Sequence, residues 1–264
     1  MRWTPAPLLS ASALLHVGAA ATVVTHPDAW SWAVGGVAAN HALLAAAGLW
    51  PRSRILGPNW VRLPPAACAR NEIAITIDDG PDPSVTPKVL DLLQRHQVHA
   101  SFFCVGAKIA RHPQLVREIC ARGHTVENHS QNHRLYFSLL GPQHIESEIV
   151  AAQDLITQSI GIRPQFFRAP AGLRNPFLDY VLTKLDLRLA SWTRRGFDTV
   201  NGDAQRALSL LDRNLHAGDI LLLHDGNAAR THDGVPVILE VLPSLLESIR
   251  RRGLHLITLP QALA

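Results

Sequence analysis

Cysteine is scarce. Only Cys68, Cys104 and Cys120 occur in 264 residues, without a CxxC spacing, and an odd number cannot all pair within one chain. A disulfide framework is therefore not expected. A concentrated basic segment is missing too. Lys and Arg number 25 against 21 acidic residues, and the surplus of +4 is spread along the chain, which gives no support for a nucleic-acid partner. Histidine is plentiful, at 14 residues. Most stand singly, where an ordinary surface or core role is the default, so only clustered ones carry weight. The length suits one catalytic domain plus an appendage.

Residues 5–24 and 30–50 are two almost wholly apolar runs without a Lys, Arg or Glu, each near the ~20 residues that cross a bilayer as a helix. Residues 25–29 between them are polar and include Pro27, which suits a hairpin turn. Trp3 and Trp50 fall at one end of such a hairpin and Trp30 and Trp32 at the other, where indoles favour the membrane interface. The competing reading is a cleaved signal peptide, with Arg2, the apolar stretch from Leu8 and the small residues 19–21 as its parts. A signal needs no second apolar run, which favours the hairpin. Asn40 and His41 are costly in lipid and are expected to reach His16 across the hairpin or to lie near water. Arg2, Arg52, Arg54 and Arg62 flank the hairpin, whereas its turn has Asp28 and no basic residue, so the positive-inside rule puts both ends and the catalytic domain in the cytoplasm. A cleaved signal would place that domain outside. The expected division is a membrane hairpin at 1–50, a proline-rich linker at 51–69 and a catalytic domain at 70–264.

β-forming runs at 73–77, 101–105, 125–127, 165–167, 187–192, 220–223 and 254–258 predict seven strands. Helical patterns alternate with them. Thr86 and Pro87 are expected as N-cap and first residue of a helix over 88–96, Ile145, Ile149, Ala152, Ile156 and Ile160 form one apolar face, and Gly123 and Gly161 are expected stops. The alternation predicts an α/β protein with a mostly parallel sheet, open or closed, whose chemistry gathers at the C-terminal strand ends.

The first strand ends in TIDDGP, residues 76–81, with two adjacent carboxylates beside turn-forming residues. One acid can ligate a metal while the other accepts a proton from water, although DDGPDP alone also reads as a turn-rich loop. The third strand runs into NHSQNH, where His129 and His133 stand four apart, a spacing that aligns two imidazoles on a helical turn. Two histidines and one carboxylate leave a position open for water, as in catalytic rather than structural sites. Arg168 in RAPAG can orient a carboxylate or form a surface ion pair. Asp198 in WTRRGFDT can hold an imidazole or cap a turn, and His224, delivered by ILLLHD, can act as a general acid or be a core histidine.

Taken together, TIDDGP, HSQNH, RAPAG, WTRRGFDT and LLLHD resemble, in order, the five motifs of the NodB-homology polysaccharide deacetylases of carbohydrate esterase family 4. The resemblance covers about residues 70–264. It implies a distorted (β/α)7 barrel, here preceded by the two-helix transmembrane hairpin. By position it implies that Asp79, His129 and His133 bind one divalent metal ion, zinc foremost among the transition metals. Asp78 would be the base, His224 the acid, Arg168 the group that positions Asp78, and Asp198 the group that holds His224. Pro170, Ala171 and Trp192 would bind substrate, and Leu221 and Leu223 would wall the pocket for the acyl methyl. Two departures stand out. Asp198 precedes Thr199 where the family often has tryptophan, and Ala171 replaces an aromatic residue that offers a sugar ring a flat surface.

The function so implied is hydrolysis of an N-acyl, foremost N-acetyl, group from an amino sugar of a polysaccharide. The alternative substrate is a lipid-linked amino sugar deacetylated or deformylated at the inner membrane. A different class of function, a non-enzymatic membrane-anchored binding module, would not be expected to keep every acid, base and ligand position. Expected partners are the N-acylated saccharide, polymeric or lipid-linked, and a lipid bilayer.

Overall fold

The structure is a computed structural model and describes residues 2–263. Two long apolar helices, α1 (Pro7–Thr25) and α2 (Trp30–Leu49), form the amino-terminal hairpin, and most of their surface is exposed. The remaining chain runs α3 (Pro65–Ala69), β1 (Glu72–Gly80), α4 (Thr86–Arg95), β2 (Ser101–Cys104), α5 (Gly106–Arg111), α6 (Pro113–Ala121), β3 (Thr125–Asn128), α7 (Pro142–Ile160), β4 (Phe166–Phe167), α8 (Leu178–Lys184), β5 (Arg188–Leu189), β6 (Arg194–Arg195), α9 (Ala204–Asp212), β7 (Ile220–His224), α10 (Val237–Arg251) and β8 (His255–Leu256).

All strand pairings are parallel, in the order β5-β4-β3-β2-β1-β7-β6, with β8 paired to the start of β1. Only residues 190–193 separate β5 from β6, so the two edges of the sheet are successive parts of one extended run. That run draws the edges together into the distorted barrel expected from the sequence. It also accounts for the strand count: the expected fifth strand, 187–192, contains β5, and β6 is an additional strand beyond it that the sequence did not predict. β1 and β7 are buried along nearly their whole length, as their continuous apolar runs require in a sheet covered on both faces. Ile145, Ile149, Ala152 and Ile156 of α7 are buried in the core as the helical period requires, and Gly161 stops that helix at φ 71°.

Two local expectations are corrected. Val85, not Thr86, occupies the N-cap of α4; the Thr86 hydroxyl instead accepts the Asp82 N–H at 2.7 Å and donates to the Asp225 carboxylate. Residues 51–69 do not hang free as a linker. Leu56, Leu63 and Ala67 are buried, and Trp60 makes a parallel bridge to Ala190 while its ring meets Phe166 edge-on at 5.1 Å. Within the hairpin, His41 does reach His16, at 3.2 Å, whereas Asn40 donates to Ser12 Oγ at 2.8 Å.

Candidate active site

Strand register assembles the site at the C-terminal ends. Asp78 on β1 lies opposite His224 on β7 and Phe103 on β2. In a regular strand the next residue would face the other way. Here the β1–β2 register shifts between Asp78 and Gly80, and Asp79 takes φ 71°, so both carboxylates line one cavity. Such a backbone is costly for a non-glycine residue and points to a functional constraint. Gly80 completes the turn because a Cβ there would lie 2.5 Å from Asp225 Oδ1.

His129 and His133 follow β3 in an irregular loop, not on the helical turn that their spacing suggested; positive φ at Ser130 and His133 folds it. Glu148 of α7 pins the loop, accepting from the Asn132 backbone at 2.9 Å, the Asn132 side chain at 2.7 Å and Arg134 at 3.1 Å. His129 Nδ1 is engaged by the Arg168 carbonyl at 2.8 Å, which leaves Nε2 as the outward nitrogen. That atom and His133 Nε2 lie 3.2 and 3.1 Å from Asp79 Oδ1. Oδ1 is nonetheless buried without a well-formed hydrogen bond. Three lone-pair donors that converge without hydrogen-bond geometry fit a shared cation, since bonds of about 2.0–2.1 Å put neighbouring ligand atoms at such separations. Burial alone would raise the Asp79 carboxyl, but the facing imidazoles of His129 and His133 hold it well below the usual range. Burial, with the neighbouring His129, pushes the His133 imidazole down, toward the neutral form a metal ligand needs. The other Asp79 oxygen accepts from Asn227 at 3.1 Å, and the Asp79 carbonyl accepts from Lys108 at 2.7 Å.

Beside this cluster, the buried Arg168 guanidinium donates to Asp78 Oδ1, to Thr76 Oγ1 at 2.8 Å and to the carbonyls of Ala190 and Ser191 at 3.1 and 2.8 Å. It stacks 4.1 Å above the Phe103 ring. An arginine so placed is no surface ion pair. Across the cavity, Asp198 accepts both the His224 backbone N–H at 2.7 Å and Nδ1 at 2.9 Å. Burial opposes the imidazolium at His224, yet the hydrogen bond and charge of Asp198, helped by Asp78 and Asp79, raise its pKa above the ordinary value.

The cavity, about 280 Å³, is lined by Asp78, Asp79, His129, His133 and His224, with Ala171 and Trp192 on its walls. Arg168 and Asp198 stand behind the side chains that they hold. Pro170 is buried and not part of the lining, although Ala169, Ala171 and Gly172 are. Leu221 and Leu223 are corrected: both pack in the main core, and Leu222 lines the cavity instead, on the same strand face as His224. Sequence reasoning also missed Leu135, Arg195, Thr199 and Asn227. Strand alternation could have found Leu222; the loop residues carried no signal.

The family model for polysaccharide deacetylase matches residues 67–190, a segment that holds Asp78, Asp79, His129, His133 and Arg168 and stops short of Asp198 and His224. A peptidoglycan-N-acetylglucosamine deacetylase of Bacillus cereus is 33% identical over 193 residues, 72% of this chain and 87% of that protein. The chain belongs to the polysaccharide deacetylase family. The chain is also 31% identical, over 199 residues, to a chitooligosaccharide deacetylase of a Bradyrhizobium species, a match that spans 72% of this chain and 89% of the relative. Among solved structures, a family 4 carbohydrate esterase from Streptomyces lividans in complex with acetate is 30% identical with a TM-score of 0.63, over 70% of this chain and 90% of the other. As a member of the family the protein is a hydrolase of carbon–nitrogen bonds other than peptide bonds.

Proposed function

We propose that the protein hydrolyses the N-acetyl group from amino sugar residues of a polysaccharide. The observation that carries this is the pairing of Asp78 and His224 across one cavity, each fixed by a buried partner, beside the Asp79, His129 and His133 cluster. A divalent ion held by those three residues, zinc foremost, would polarise the acyl carbonyl and favour ionisation of water.

Asp78, oriented by Arg168, takes the proton of the attacking water as its oxygen bonds to the carbonyl carbon. The Ala171 backbone N–H, on the cavity wall, is assigned to the oxyanion that develops. His224 keeps Nδ1 on Asp198 and gives a proton from Nε2 to the sugar nitrogen as the carbon–nitrogen bond breaks. The products are a free amino sugar and acetate. The test is acetate release from chitotetraose by the metal-loaded full chain. A folded, metal-loaded protein that releases none from polymeric or lipid-linked N-acyl sugars would defeat the reading.

The hairpin is proposed as an anchor in the inner membrane, with residues 51–69 as a packed collar and 70–264 as the catalytic domain. One contact supports retention of the segment before α1, and a second ties α2 to the catalytic domain. Trp3 Nε1 donates to Asp179 at 2.9 Å with its ring 5.3 Å from Tyr180, and the Gly48 carbonyl accepts the Arg174 N–H at 3.1 Å.

A further inference from the structure

Trp192 and Arg195 wall both the catalytic cavity and a second one of about 380 Å³ beside it. The second opens past Phe197 and Leu210 to Arg52 and Trp50, the residue that follows α2. One cleft therefore runs from the reacting groups to the exit of the apolar hairpin. Its direction is fixed by packing. A Cβ on Gly48 would lie 2.2 Å from the Arg174 carbonyl oxygen, and Ser191 Oγ donates to the Pro51 carbonyl at 2.7 Å, so hairpin and cleft meet without a flexible tether.

The guanidinium groups along this cleft differ in how their donors are used. Arg194 is spent on Asp219 and on the carbonyls of Arg213 and Asn214. Arg195 has no carboxylate partner among the described residues. Its Nε is buried without an acceptor, and its one side-chain hydrogen bond is a long 3.4 Å contact to Thr199. Two rings hold it there, Trp192 at 5.7 Å and Phe197 at 5.0 Å, and Phe197 adopts φ 57° while half exposed. A buried charged donor without an acceptor is costly, as is a bulky residue at positive φ. Both costs make sense when an anion occupies the space in front of Arg195. Arg52, whose one side-chain hydrogen bond goes to the Thr193 carbonyl at 3.2 Å, adds a second cation farther along.

We propose that Arg195 and Arg52 bind a phosphate, and that the substrate is an N-acetylated amino sugar joined through that phosphate to a membrane lipid. This rests on the deacetylation chemistry proposed above and replaces its polysaccharide with a lipid-linked amino sugar. Guanidinium pairs suit phosphate oxygens, and an indole such as Trp50 at the end of a spanning helix suits the headgroup level. A neutral polymer would leave the Arg195 donors unmatched. A carboxylated polymer would satisfy Arg195 but has no use for a cleft that ends at the hairpin. Leu135, about four-fifths accessible on the rim of the catalytic cavity, is an apolar side chain that a lipid-borne substrate can approach.

The test uses the full chain in phospholipid nanodiscs, loaded with metal, and follows acetate release from polyprenyl-phosphate-linked N-acetylglucosamine, N-acetylglucosamine 1-phosphate and neutral chitotetraose. The lipid-linked sugar should exceed chitotetraose in kcat/KM by about tenfold or more, the scale of one charge-assisted contact. Arg195→Gln should collapse that ratio chiefly through KM, and Arg195→Lys should restore part of it. Should Arg195→Gln not fold, Arg52→Gln, at an exposed site, should lower the ratio in the same direction. Equal use of neutral and phosphorylated sugars, or a ratio unchanged in both glutamine variants, overturns the proposal while leaving deacetylation intact. Equal use of the lipid-free phosphate and the lipid-linked sugar overturns the lipid assignment. Release from none of the three substrates overturns the deacetylation reading itself.

Discussion

Asp198 grips His224 at two points, one oxygen on the backbone N–H at 2.7 Å and the other on Nδ1 at 2.9 Å. The carboxylate thus fixes both the position of β7's last residue and the orientation of its ring. Burial works against a charged imidazole there, and the hydrogen bond and charge of Asp198 outweigh it. His224 is therefore protonated to higher pH than an ordinary histidine. Because the protonated form is the acid, kcat should hold on the acid side and fall as pH rises through the raised pKa. Asp198→Asn should lower kcat by about 100-fold or more and move the alkaline limb to lower pH. A pH–rate profile whose alkaline limb stays in place would show that His224 is not the titrating acid.

The metal cluster makes a second expectation. The purified protein should hold about one divalent ion per chain, since two imidazoles and a carboxylate converge there. His129→Ala combined with His133→Ala should remove it, measured by elemental analysis of folded protein. Asn227→Ala should weaken metal affinity by about 10- to 100-fold, because Asn227 orients the second oxygen of Asp79. Stoichiometric metal in the folded double variant would refute the ligand set.

Asp78 is expected to behave differently from Asp79. Its Oδ2 lies 3.8 Å from His129 Nε2, farther than Asp79 Oδ1 at 3.2 Å, and its Oδ1 is held by Arg168. Asp78→Asn should keep the metal and lose about 100-fold or more in turnover. Loss of metal together with turnover that returns in metal excess would make Asp78 a ligand instead of the base.

Leucine placement on β7 separates pocket from core. Leu222 lines the cavity beside His224, whereas Leu221 and Leu223 face the helices. Leu223→Ala should cost about 2–5 kcal/mol of stability in denaturant unfolding, as core truncations do. Leu222→Phe should instead raise KM or abolish acetate release with little change in the unfolding midpoint. The reverse pattern would return the acyl pocket to Leu221 and Leu223.

These residues also show which features the sequence made legible. TIDDGP and ILLLHD stood out because a buried parallel strand is a continuous apolar run, and polar residues at its end need a reason. Within ILLLH, however, every position before His224 is leucine or isoleucine, so composition hides which face each occupies; only the period of two, counted back from His224, selects Leu222. The His129 and His133 pairing was visible as spacing, but its geometry comes from a loop that Glu148 pins from another element. Arg194–Arg195 gave no strand signal because two charged residues have no apolar alternation. Pairing with β7 and the Asp219 contact hold them in place. The prolines of residues 51–69 suggested a tether, whereas Leu56 and Leu63 are buried.

The hairpin yields the last expectation. Both of its ends touch the catalytic domain, Trp3 at Asp179 and Gly48 at Arg174, so the proposed anchor would have both ends on the side of the membrane where that domain resides. Cleavage after α1 would discard Trp3 and expose the face of α2 that α1 covers. The protein should therefore retain its amino terminus, which the intact mass of membrane-purified material reads directly. Arg2, Arg52, Arg54 and Arg62 flank the two ends and the turn has Asp28 alone among charged residues, so the positive-inside rule assigns the ends to the cytoplasm. A phosphatase active only after export should then be dark when fused after the last residue and bright when inserted in the turn at residues 25–29. An intact amino terminus with the opposite pattern of phosphatase activity would keep the anchor and reverse the side. Loss of the first helix from the mature mass would instead establish a cleaved signal, and the catalytic domain would face an extracytoplasmic polysaccharide.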